Sequence, residues 1–179
     1  YLGKELNLID KNAVEALWVT HFPMFEYNEE QDRWDAMHHP FTAPLAKDLD
    51  SLSDNIAEVK ARAYDLVING HEIAGGSIRN FQPEFQRKIF DLLKIDQEEQ
   101  RDKFGFLLDA LQYGAPPHGG IAFGFDRLVA LLAGTDSIRD VIAFPKTTSA
   151  LSLMDGAPSE VDEAQLNELG LAINKSVDN

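Results

Sequence analysis

Four charged side chains and a pair of adjacent histidines carry the chemical potential of this sequence. Asp65 and Glu72 flank the dipeptide Asn69-Gly70, which lies between the apolar runs Leu66-Val67-Ile68 and Ile73-Ala74. Asn-Gly in that setting signals a two-residue type I′ turn, because both central residues need φ > 0. Such a loop sets Ile68 opposite His71, Val67 opposite Glu72 and Asp65 opposite Ala74. Period-two alternation then puts Asp65, Val67, Glu72 and Ala74 on one face, with the two acids as diagonal neighbours. Like charges so placed repel unless a proton or a cation intervenes. A hard cation such as Mg²⁺, shared with substrate phosphates, would relieve them. A solvated strand face that happens to carry two acids satisfies the same spacing.

Directly beyond Glu72 stands Gly75-Gly76-Ser77-Ile78-Arg79. Paired glycines permit a bulge or a close ligand approach, and the Arg79 guanidinium suits a carboxylate held by two parallel hydrogen bonds. In a regular strand Arg79 has the opposite parity to Glu72, so joining it in one site requires a bulge or a helical start near the glycines; otherwise Arg79 is a surface residue after a turn. Arg127 falls in the first turn of an expected helix, where free N–H groups and the dipole already favour anions. Its planar head could stack on an aromatic base, or simply pair with Asp126 as a cap. His38 and His39 sit in a proline-bounded loop able to act as a lid over a polar ligand. With no cysteine and only His21, His71 and His118 elsewhere, the residue set argues against a zinc site and equally suits ordinary polar loop histidines.

These residues need elements to hold them. Residues 17–22 are apolar and β-branched and read as a buried strand ending at Pro23. Residues 24–27 and 33–37 read as a hairpin, and the prolines at 40 and 44 keep the intervening segment irregular. A short helix is expected near 56–63, and the clearest hairpin covers 64–74. One helix starts at Pro83, with Phe85, Ile89, Leu92 and Leu93 on one face; a second runs from Gln97 to Gln112, burying Phe104, Leu107, Leu108 and Leu111. Residues 119–124 read as a buried strand feeding a helix from Asp126 to about Ala133, with Gly134 past its end. Residues 141–144 read as a strand and 163–169 as a helix. The expected fold class is one α+β domain, a mostly antiparallel sheet with flanking helices.

Composition narrows the function classes. The 179 residues are 44% hydrophobic, enough for a sizeable core. Without cysteine there are no disulfides and no thiolate metal sites. No apolar run approaches the roughly 18 residues of a membrane span, and the first residues lack a secretory pattern, so a soluble, cytoplasmic protein without membrane contact is the expectation. Thirty acidic residues against sixteen basic ones give a net charge of -14, which argues against this segment gripping RNA tightly by itself.

Several segments taken together resemble one family. Gly119-Gly120-Ile121-Ala122-Phe123-Gly124-Phe125-Asp126-Arg127-Leu128 is similar to motif 3 of the class II aminoacyl-tRNA synthetases. Ala36-Met37-His38-His39-Pro40-Phe41-Thr42, the stretch from Tyr64 to Gly70, Glu72 through Arg79, and Ser137 through Lys146 resemble the bacterial aspartyl branch in the same order. The resemblance implies a class II catalytic-domain fold. It also implies a reaction in which aspartate and ATP give aspartyl-adenylate and pyrophosphate, before the aspartyl group passes to the terminal ribose of tRNA(Asp). It assigns Glu72, Gly124, Phe125, Asp126 and Arg127 to ATP, Asp65 and Glu72 to Mg²⁺, and His38, His39 and Arg79 to L-aspartate. No residue is assigned as a general acid or base.

The resemblance further implies a cytoplasmic homodimer for the complete enzyme. Residues 1–179 are expected to form the C-terminal part of its catalytic domain, with residues 1–16 returning from an inserted domain. Motifs 1 and 2 and an anticodon-binding domain are not in the sequence, so the isolated chain is expected to be inactive. A start at Tyr1 instead of methionine is consistent with a cut piece. A truncated relative that binds aspartate or a nucleotide in a regulatory role, and a purely structural fragment, are the competing readings.

Overall fold

The structure is a computed structural model that describes residues 2–10, 13–45 and 51–173. It comprises two compact units, one reaching to Leu128 and one beginning at Val129. In chain order the elements are α1 (Leu2–Glu5), β1 (Ala16–Thr20), β2 (Phe25–Asn28), β3 (Arg33–Ala36), α2 (Ser51–Asp54), a 3₁₀ turn (Ile56–Glu58), β4 (Ala63–Ile68), β5 (His71–Ile78), α3 (Pro83–Leu92), α4 (Gln97–Gln112), β6 (Gly119–Phe123), α5 (Phe125–Ala133), a second 3₁₀ turn (Ile138–Asp140) and α6 (Glu163–Glu168). The expected α+β class holds. One antiparallel sheet has the order β1-β4-β5-β6, and β2 and β3 form a separate hairpin.

Local chemistry explains most of the first unit. Asn69 and Gly70 take φ of 51° and 81° and close the β4–β5 hairpin as a type I′ turn requires. The Asn69 side chain ties that turn to the segment before β1, accepting from the Glu15 amide at 2.8 Å and donating to the Ala13 carbonyl at 3.1 Å. Pro83 stands in the first turn of α3, where its missing N–H costs nothing. Asp96 caps α4 by accepting from the Glu99 amide at 2.9 Å. Gly76 has no alternative, since a Cβ there would stand 2.0 Å from the Gly120 carbonyl oxygen across the β5–β6 pair.

The apolar core lies between the β2–β3 hairpin, the 51–63 segment and α3, built on Met24, Phe25, Leu52, Val59, Ala61, Ala63, Ile89 and Leu93. Beside it Phe90 of α3 stacks on Phe104 of α4 with ring centroids 4.9 Å apart, and Phe41 meets both rings edge-on. Those contacts anchor the histidine-bearing loop to the two helices.

Several expectations need correction. The helix expected near 56–63 is only a 3₁₀ turn at Ile56–Glu58, because the chain from Val59 turns extended and enters β4 at Ala63; residues 46–50 lie outside the described residues. The strands at 17–22 and 119–124 exist but are not buried: every residue of β1 and β6 is exposed. Among the described residues each lies at a sheet edge with a partner on one side only, and burial of an apolar strand depends on what covers it. Along α4, Leu108 and Leu111 are buried, whereas Phe104 and Leu107 are half-buried.

In the second unit, Gly134 ends α5 in the left-handed region with φ of 68°, and α6 falls where expected. The expected strand at 141–144 does not form. These residues follow a 3₁₀ turn as turn and bend, and Pro145 cannot donate to a ladder.

Candidate functional site

The site depends on one irregularity in the sheet. Val67 pairs with Glu72 and Leu66 with Ala74, so Ile73 is an extra residue in β5 that faces no partner. This bulge corrects the expected register: Asp65 lies opposite Gly75, not Ala74. A bulge also reverses the side-chain parity beyond it. Glu72, Gly75, Ser77 and the position of Arg79 therefore share the face that carries Asp65, and the condition set by the sequence for joining Glu72 and Arg79 is met. A strand rise of about 3.3 Å per residue sets Arg79 roughly 13 Å beyond Gly75 along that face.

At the bulge end the two acids converge. A Cβ on Gly75 would lie 2.8 Å from Asp65 Oδ1 and 3.5 Å from Glu72 Oε1, so both carboxylates border the space that glycine leaves open. Arg127 arrives from the first turn of α5, which Gly124 anchors by donating its amide to the Ile73 carbonyl at 2.8 Å, on the bulged residue itself. Arg127 Nη1 donates to the Glu72 carbonyl oxygen at 2.9 Å and lies 3.9 Å from Glu72 Oε2, with both side chains about half exposed. At that distance and exposure the ion pair is weak, and the guanidinium face stays open. Phe125 and Asp126 are exposed in the same turn.

At the far end Arg79 is half-buried, and no carboxylate lies within ion-pairing distance of it among the described residues, whereas Arg33, Arg101 and Arg127 each have one. Arg79 is also fixed through its backbone: its amide donates to the His118 carbonyl at 2.9 Å, and it bridges to Thr42. Its Nη1 donates to Ser77 Oγ at 2.5 Å and meets His39 Nε2. The Phe41 amide donates to His39 Nδ1 at 3.2 Å. A neutral imidazole has one accepting nitrogen, so two N–H groups compete for a single lone pair. Burial first, then the Arg79 charge, then His38, holds the His39 pKa below the ordinary histidine value, which keeps the ring neutral. The pocket thus holds more donors than acceptors.

His38 points elsewhere, with its ring against Phe22 at a centroid distance of 5.1 Å. The segment read as a lid is tied down from Pro40 onward. Gln86, 1% exposed, donates to the Pro40 carbonyl at 2.9 Å and accepts from Asn80 Nδ2 at 3.1 Å, while the Asn80 amide donates to the Phe41 carbonyl at 2.9 Å. The structure therefore groups Asp65, Glu72 and Arg127 at one end and His39 and Arg79 at the other. It also brings in Thr42 and Ser77, which the sequence did not single out. Hydroxyls near an arginine have no spacing signature, although the strand parity of Ser77 and Arg79 was available.

Known proteins resemble this chain in sequence and in fold. Residues 4–148 match the family described as tRNA synthetases class II (D, K and N). The chain is 58% identical over 174 residues to an aspartate–tRNA(Asp/Asn) ligase of Desulfatibacillum aliphaticivorans, and 56% identical over 176 residues to an aspartate–tRNA ligase of Bacillus licheniformis. Those alignments take in 97% and 98% of the chain but 29% and 30% of the relatives' length. In fold it is similar to the aspartyl-tRNA synthetase of Entamoeba histolytica, with a TM-score of 0.56 and 22% identity over 83% of this chain and 24% of that one. The asparaginyl-tRNA synthetase of Pyrococcus horikoshii gives a TM-score of 0.54 and 24% identity over 75% of this chain and 27% of that one. Matched over most of its length and more than half identical to those ligases, the chain belongs to the class II tRNA synthetase family (D, K and N).

Proposed function

We propose that this chain is the C-terminal part of the catalytic domain of an aspartate–tRNA ligase, a cytoplasmic homodimer that activates L-aspartate with ATP and passes it to tRNA(Asp). The observation that carries the reading is the half-buried Arg79 without an acidic partner among the described residues, in a pocket short of acceptors. A carboxylate supplies both the missing charge and the missing lone pairs. Asparagine brings no charge, only one accepting oxygen and further N–H donors, so the pocket favours aspartate. We place the aspartate side chain at Arg79 and His39, with His38 in the same loop. ATP lies toward Glu72 and the α5 turn of Gly124, Phe125, Asp126 and Arg127, with the Arg127 guanidinium against the adenine.

Asp65 and Glu72 fit a Mg²⁺ ion bound jointly with the substrate phosphates, because both carboxylates border the space left by Gly75. Such an ion neutralises phosphate charge. In the reaction a carboxylate oxygen of aspartate forms a bond to the α-phosphorus of ATP, the bond to the bridging oxygen breaks, and pyrophosphate leaves. Arg79 and Arg127 hold the two reactants in line. The apolar residues exposed along β1 and β6 suit cover from the remainder of the ligase.

Aspartate-dependent exchange of pyrophosphate into ATP tests the reading. The full-length ligase carrying this segment is expected to exchange, its Arg79→Ala variant to need about a hundredfold more aspartate at an unchanged KM for ATP, and the 179-residue chain alone to be inactive. Exchange by the isolated chain, or an unaltered aspartate KM in Arg79→Ala, contradicts it.

A further inference from the structure

The guanidinium of Arg79 is held by a buried hydroxyl pair. Ser77 is 2% exposed, as is Thr42. Ser77 Oγ accepts from Arg79 Nη1 at 2.5 Å and from Thr42 Oγ1 at 3.3 Å. His39 Nε2 lies 3.4 Å from Thr42 Oγ1. Thr42 donates to Ser77, and Ser77 keeps a lone pair for Arg79. The hydroxyl oxygen is thereby committed as an acceptor, and it fixes one terminal nitrogen of the guanidinium while leaving the rest of the fork free.

We propose that Ser77, with its oxygen oriented by Thr42, is a positioning residue that sets the Arg79 fork for a ligand carboxylate and so contributes to selecting aspartate over asparagine. This rests on the assignment of Arg79 to the aspartate side chain. Without the Ser77 hydroxyl the long arginine stem regains rotamer freedom, and ordering it again falls on the ligand. The bidentate geometry that separates a carboxylate from an amide is the property most sensitive to that freedom. A hydrogen bond to a charged partner is worth about a factor of ten in binding.

The test uses the full-length ligase, with pyrophosphate exchange read separately against aspartate and ATP. Ser77→Ala is expected to raise the KM for aspartate about tenfold, leave the KM for ATP unchanged and reduce the preference for aspartate over asparagine by a similar factor. Thr42→Val, which keeps the shape and removes the hydroxyl, should move the same quantities in the same direction. Ser77→Thr, which restores the hydroxyl, should recover most of the loss. In an Arg79→Ala background, Ser77→Ala should add nothing to the aspartate KM. Equal increases in both KM values, or an equal penalty with and without Arg79, would show a merely structural role and overturn the proposal. If Arg79→Ala moves the aspartate KM and neither hydroxyl variant does, the proposal fails and the site assignment stands. If Arg79→Ala does not move it, both fail.

Discussion

Two N–H donors reach the ring of His39, and burial beside Arg79 depresses its pKa. The sign of its pH effect follows. The unfolded histidine titrates near ~6.5, and the folded one at a lower value, so between the two the unfolded chain binds more protons. Stability contributed by His39 is therefore whole above pH about 6.5 and is lost as acidification proceeds from there toward the folded value. Thermal unfolding between pH 7 and pH 5 should lower the midpoint more in the wild type than in His39→Gln, by on the order of 1 °C, because a ring this exposed is partly screened. Equal pH slopes in the two proteins would mean that His39 is not held neutral. The same neutrality leaves Arg79 as the cation of the pocket.

Among the elements, β5 does the most positioning. Its bulge at Ile73 turns Glu72 onto the face of Gly75 and Ser77, and the next strand is packed so closely that Gly76 admits no side chain. Gly76→Ala should cost about 3 kcal/mol through forced separation of β5 from β6. Gly70→Ala, in open space at positive φ, should cost about 1 kcal/mol. Urea unfolding of the full-length ligase measures both, and a reversed ranking would refute the register. The Asn69-Gly70 turn, the bounds of α4 and the start of α3 were legible because each is set by local chemistry. The bulge was not: the sequence showed only that two glycines allowed one, and the choice belongs to strand pairing. Exposure of β1 and β6 was equally illegible, since an apolar strand reads alike at an edge or in the middle of a sheet. The 141–144 segment shows the converse, an apolar tetrapeptide that forms no strand.

Across the whole molecule, the proposed function rests on how much of the candidate site this chain carries. It spans about 30% of the relatives it matches, yet one sheet face bears the acidic pair at one end and Arg79 at the other. The net charge of -14 argues against this segment gripping a tRNA tightly by itself. Its long dimension, roughly 13 Å from Gly75 to Arg79, suits an extended aminoacyl-nucleotide. A crystal structure of the full-length ligase with a non-hydrolysable aspartyl-adenylate analogue tests this most directly. The side-chain carboxylate is expected on Arg79 and the adenine against Arg127, with the phosphate between them beside Asp65 and Glu72. An analogue bound with its carboxylate away from Arg79, or lying on the opposite sheet face, would contradict it.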